Sequence, residues 1–228
     1  VSRAQGRREG RRGGLRGFTL VEVLVALAAM ALLSVMAWSG IDAMHRAETS
    51  TRARSEDVLA LQTGLSQWRT DLDALTQLAP VGGMDFDGRV VRLTRIARIG
   101  DAPDSAIVVV AWGARLIDGQ RQWLRWQSVP VRTREQLQMA WQQAALWGQN
   151  PTDELRRQEV PIASIDEWQV FYFRNNSWSS PLSSAGAVTE VQTALPDGVR
   201  LLLTLSEGQV LSGLLQHDWV RPTLGAAR

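Results

Sequence analysis

The chain has 228 residues, 45% of them hydrophobic and 21% charged, enough apolar material for one globular domain beside a membrane segment. It has no cysteine, which excludes thiol catalysis, thiolate metal sites and disulfide staples. The sequence pI of about 10.2 invites a nucleic-acid reading. However, six arginines fall in residues 1 to 17, and from residue 18 onward 19 arginines face 22 acids, so that part offers no basic balance for DNA or RNA.

From Phe18 to Trp38 the residues are apolar apart from Glu22 and a few hydroxyls. At about 1.5 Å per residue this run makes a helix of roughly 30 Å, the thickness of a hydrocarbon core, so one membrane span is expected. The arginines before it predict a cytoplasmic N-terminus and an exported remainder. Residues 45 to 57, HRAETSTRARSED, are polar and free of Pro and Gly, which lets the same helix continue in solvent. Val58, Leu61, Leu65, Trp68, Leu72 and Leu75 then recur every three or four residues, the stripe of a helix docked on a domain. Pro80 and VGGMD end it, so the sequence predicts one helix from about Phe18 to about Leu78, with Ser39-Gly40 as the place for a bend.

Short β-type runs follow at 90 to 98, 106 to 114 and 122 to 129, separated by turn residues, and predict a meander. Leu137, Ala140, Trp141 and Ala144 interrupt it at helical spacing, predicting a short amphipathic helix over 134 to 148 that Asn150-Pro151 closes. Strand character returns at 167 to 174, 198 to 206 and 209 to 217, and Glu207-Gly208 reads as a tight hairpin between the last two. The Ser-rich stretch 175 to 188 reads as a surface loop.

Glu22 is the informative residue. An isolated carboxylate near the cytoplasmic end of an ordinary anchor is tolerable, since its cost falls toward the interface. A secretory signal peptide fits poorly, because the apolar run exceeds the usual length. The full string, a basic stretch, then Gly17, then Phe18-Thr19-Leu20-Val21-Glu22 opening a long apolar helix, resembles the type IV prepilin signal. That resemblance implies cleavage between Gly17 and Phe18 by a membrane-embedded prepilin peptidase, followed by N-methylation of Phe18. Cleavage creates an ammonium, with an ordinary pKa near 7.7 to 8.0, at the tip of an apolar helix. The expected role of Glu22 is then to neutralise that charge on an axially shifted neighbour during assembly.

Beyond the signal, several segments resemble the J-type minor pseudopilins of type II secretion. These are GIDAM at 40 to 44, GLSQWRTDLDAL at 64 to 75, RLTRIAR at 92 to 98, EWQVFYFRNNSW at 167 to 178 and LPDGVRLLLTLSEGQVLSGLLQ at 195 to 216. The resemblance implies an α+β pilin-like fold, a long N-terminal helix packed on an antiparallel β-rich domain. The expected divisions are a basic leader (1–17), a transmembrane half of the helix (18–38), a periplasmic half (39–78) and a globular domain (79–228). It further implies no catalytic activity and no cofactor. The implied location is the inner membrane, and the implied partners are the H-, I- and K-type minor pseudopilins and the major pseudopilin. A minor pilin of a type IV pilus or DNA-uptake pseudopilus shares the signal; a membrane-anchored periplasmic enzyme is the rival of another class.

The remaining candidates for chemistry are weak. His45 and His217 stand apart without a matching nucleophile or ligand spacing, so neither a hydrolase nor a metal site is expected. DFDG at 85 to 88 lacks the later acidic ligand of a calcium loop and reads as a turn. Asp71 and Asp73, two residues apart, do not share a helix face. Of the ten tryptophans, Trp68, Trp112, Trp123, Trp126 and Trp168 sit in core patterns, and Trp178 is the candidate for an exposed anchor.

Overall fold

The computed structural model describes residues 18–98, 105–184, 195–208 and 211–222. The chain divides into two compact units, Val1–Arg52 and Ala53–Arg228, and helix α1 (Leu20–Asp73) contributes to both. In the first unit the apolar side chains of α1, Leu20 and Val21 through Ile41 and Met44, all lie exposed. By length and composition this helix can cross a membrane: its most apolar window has a mean hydropathy of 2.5.

The second unit is built on an antiparallel meander. Strands β1 (Met84–Phe86), β2 (Val90–Arg98), β3 (Ser105–Ile117), β4 (Gln120–Gln127) and β5 (Glu159–Arg174) follow one another in the sheet, continued by β7 (Gly198–Leu205) and β8 (Gly213–Val220). β6 (Ser177–Ser179) pairs with the end of β5. Helices α2 (Arg134–Gln149) and α3 (Asp153–Arg156) interrupt the meander between β4 and β5.

Strand alternation sorts the apolar residues to two sides. Val108, Val110 and Trp112 of β3 join Leu61, Trp68 and Leu72 of α1 in one core, with Val199, Leu201 and Leu203 of β7. Val109 and Ala111 join Leu137, Ala140, Ala144 and Trp147 of α2 in the other. The sheet is therefore covered by α1 on one face and α2 on the other, and these residues of both cores are under a tenth exposed. At the centre of the first core Trp112 stacks on Trp123 with centroids 4.6 Å apart, and Trp68 meets Trp112 edge-on at 5.4 Å.

Two glycines permit these helix contacts. A Cβ at Gly64 would lie 2.1 Å from Cγ2 of Ile162, so α1 rests directly on β5; one at Gly148 would lie 1.8 Å from Cγ2 of Val90, bringing the last turn of α2 onto β2. α2 starts with a capping box: the Thr133 hydroxyl accepts from the Gln136 amide, and the Gln136 side chain accepts from the Thr133 amide.

Several expectations are corrected here. The long helix ends at Asp73 because the next residues turn into sheet pairing, with the Thr76 amide donating to Thr94 and the Ile96 amide to Ala74. Leu75 keeps its apolar role as an isolated bridge partner of Arg95. β5 begins at Glu159, well before the expected 167, because register shifts at Trp123/Leu124 and Ile165/Glu167 accommodate Pro161 and break the alternation that marks a strand. Glu207-Gly208 is not a two-residue hairpin, since Leu205 pairs with Gly213; residues 209 and 210, where the last strand was expected to start, lie outside the described residues. Of the expected loop at 175 to 188, Ser177–Ser179 forms β6 and Pro181–Ser184 a 3₁₀ turn, while 185 to 188 lie outside the described residues.

Candidate assembly site and helix anchor

At the start of α1, Thr19 is the N-cap and Glu22 the third helical residue. The Thr19 amide and hydroxyl both donate to Glu22 Oε2 at 2.9 Å, and the Glu22 amide donates to the Thr19 hydroxyl at 3.3 Å. This reciprocal pair is a capping box, which satisfies amides that the first turn leaves without helical partners. Glu22 thus has a local use within a single chain, one that the sequence pattern Thr-x-x-Glu carries openly. Phe18 precedes the helix and is 84% exposed. Gly17 and the expected leader, 1–17, lie outside the described residues.

In the second unit the same helix is fastened by Asp71, whose side chain is fully buried. Its Oδ2 accepts from Trp112 Nε1 at 2.9 Å and Arg125 Nε at 2.8 Å; its Oδ1 accepts from Arg125 Nη2 at 2.9 Å and Gln67 Nε2 at 2.8 Å. Arg95 completes the set, Nη1 lying 3.1 Å from Oδ1. Two guanidiniums, from β2 and β4 on either side of β3, therefore converge on one carboxylate from the helix, with bidentate geometry at Arg125. Burial lowers the pKa of Arg95, opposed by Asp71 and reinforced by Arg125. Asp73 makes a second tie, accepting from Trp219 Nε1 at 2.8 Å. The two acids do leave the helix differently, as their spacing requires, yet both fasten it to the sheet.

This anchor is not among the residues expected from the sequence, although its signal is present there. Asp71 lies three residues after Trp68 and four before Leu75, inside the apolar stripe. Arg95 and Arg125 occupy inward strand positions between Leu93 and Ala97 and between Trp123 and Gln127. A carboxylate and two cations, each on an otherwise inward face, announce a buried ion cluster.

The other candidates resolve as packing. Trp178 is half-buried in β6, its ring 5.1 Å from Phe173 and covered by the Arg200 guanidinium at 4.3 Å, so it is not a free anchor. Arg200 in turn holds Asp218 through two hydrogen bonds of 2.8 and 2.7 Å, and these hold the Asp218 carboxyl below its ordinary pKa. His217, beside it, is pushed below the ordinary histidine range by burial, with Asp218 opposing and Arg69 assisting. DFDG makes a turn, Asp87 Oδ1 accepting from the Arg89 and Val90 amides. His45 stands on the exposed part of α1, its carbonyl accepting from the Thr49 hydroxyl. Among the described residues no group of three or more His, Asp or Glu side chains is placed to hold a metal.

Residues 15–38 match the family described as the prokaryotic N-terminal methylation motif. Two curated relatives carry the name type II secretion system protein J. The one from Vibrio cholerae is 23% identical over 214 residues, covering 86% of this chain and 84% of the relative. The one from Klebsiella pneumoniae is 46% identical over 59 residues, 26% of this chain and 30% of that relative. Motif and relatives together support a J-type minor pseudopilin. The long apolar helix followed by an antiparallel sheet is the pilin-like α+β arrangement expected of a J-type chain. Among the described residues one helix, N-terminal, apolar and carrying most of the methylation motif, fits anchoring of a pseudopilin in the inner membrane.

Proposed function

We propose that this chain is a non-catalytic subunit of a type II secretion pseudopilus, placed at its tip with H-, I- and K-type minor pseudopilins in a complex that initiates assembly, with the major pseudopilin as a further partner. The observation that carries this reading is the methylation motif at 15–38 joined to a protein J relative spanning most of the chain. In this reading prepilin peptidase cuts between Gly17 and Phe18, Phe18 is N-methylated, and the domain beyond Trp38 lies in the periplasm. The new Phe18 ammonium, drawn among apolar helices, is neutralised by Glu22 of a neighbouring subunit, which also sets the register. Load on α1 passes into the domain through Asp71 and Asp73, whose ties join the helix to strands β2, β3, β4 and β8. Its effect is support for export of folded proteins across the outer membrane; no nucleic acid is involved.

The test is co-purification of the detergent-solubilised full chain with the H-, I- and K-type minor pseudopilins. A stable complex at micromolar concentration is expected, and its absence would sink the tip assignment. Deletion separates the rival assemblies: loss of enzyme secretion is expected, whereas loss of twitching or transformation alone would point to a pilus or DNA-uptake role. Processing is tested independently, since Gly17→Ala should accumulate uncut precursor.

A further inference from the structure

At the end of the sheet where the β1–β2 turn, the β3–β4 hairpin and the last turn of α2 meet lies a cavity of about 360 Å³. Arg89, Arg115 and Arg121 all line it, and none of the lining residues is acidic. Arg115 is neutralised by Glu159, whose other oxygen accepts from Trp147 Nε1 at 2.7 Å. Arg89 and Arg121 are exposed, and their guanidiniums make no ion pair among the described residues. Like charges at one cavity repel unless an anion joins them. The C-terminal end of α2, reaching the cavity at Gly148, contributes a dipole worth roughly half a negative charge, which two whole positive charges exceed. Leu116 and the half-buried Trp168, which is held edge-on by Phe86 at 5.7 Å, add apolar surface to the wall.

We propose that this cavity receives an aspartate or glutamate side chain from a protein partner, the carboxylate between Arg89 and Arg121 and its stem against Leu116 and Trp168. Guanidinium forks match a planar carboxylate, and the apolar wall matches an aliphatic stem, which a free phosphate lacks. That the donor is a protein rests on the reading of this chain as an assembly subunit.

The probe is acetyl-hexaglutamate amide, titrated into ¹⁵N-labelled full chain in detergent and followed at the Trp168 indole signal, identified as the one lost in Trp168→Phe. A saturable shift is expected, weakened at least about tenfold, or about 1.4 kcal/mol, by Arg89→Glu and by Arg121→Glu. Arg134→Glu, with the same charge change at the exposed start of α2, should alter affinity less than about twofold, and the milder Arg121→Gln should weaken it without unfolding the chain. Absence of a saturable shift would overturn the proposal. So would equal weakening by Arg134→Glu, which signals diffuse attraction, or a matching shift with inorganic phosphate, which signals an ion site indifferent to the stem. Peptide binding does not depend on processing or secretion, so a failed pseudopilus reading shows separately, as absent cleavage in the Gly17 comparison.

Discussion

Asp71 illustrates how one side chain can hold an element in place at high cost. Removing a carboxylate from water costs several kcal/mol, and here five hydrogen bonds and ion pairs from Trp112, Arg125, Gln67 and Arg95 offset it. Deleting the charge leaves two guanidiniums, 14% and 12% exposed, facing each other across β3 without their counter-ion. Asp71→Asn should therefore destabilise the domain by about 3–5 kcal/mol, read as a lower midpoint in urea unfolding of the full chain. A change below about 1 kcal/mol would mean that the cluster is solvated in practice. His217 provides a second residue-scale prediction. Its pKa is lowered in the folded chain, so below the ordinary histidine value of about 6.5 the unfolded state binds more protons, and stability falls as pH drops through that value. Between pH 7.5 and 5.5 the wild-type melting temperature should fall further than that of His217→Gln; equal falls would remove the histidine from the account.

At the scale of elements, the contact between α1 and β5 depends on the missing side chain at Gly64. With Cγ2 of Ile162 where a Cβ would sit, Gly64→Ala forces the helix outward, at about 1–3 kcal/mol, and Ile162→Ala should recover part of that loss in the double variant. Strict additivity of the two changes would show that helix and strand do not touch there. The helices and most strands were legible because their signals are local: the stripe from Val58 to Leu72, the helical spacing of Leu137, Ala140, Trp141 and Ala144 in α2 and the β-branched run of β2 each fall within about fifteen residues. β1 and the first half of β5 were not legible. A three-residue strand has no period to detect, and Pro161 with two register shifts hides the alternation of Glu159–Ser164. The Asp71 cluster escaped for a different reason. Its carboxylate and two guanidiniums lie on α1, β2 and β4, up to 54 positions apart, so only the pairing of β2, β3 and β4 brings them together.

For the whole molecule, the open question is which of two uses of Glu22 governs assembly. Within one chain its carboxylate completes a capping box with Thr19, a role that a neutral amide oxygen also fills. Between subunits its charge would meet a Phe18 ammonium, a role that an amide cannot fill. Three variants separate the two. Glu22→Gln keeps the cap and loses the charge, Thr19→Ala keeps the charge and loses the cap at a cost of about 1 kcal/mol, and Glu22→Ala loses both. All three should insert in the membrane and be processed, because the apolar run from Phe18 to Trp38 remains intact. Under charge pairing, Glu22→Gln should fail to enter the pseudopilus as completely as Glu22→Ala, while Thr19→Ala enters at near wild-type level, measured by cross-linking to the neighbouring pseudopilin. If Glu22→Gln instead assembles normally and Thr19→Ala does not, the capping box is the requirement and the ammonium finds its compensation elsewhere.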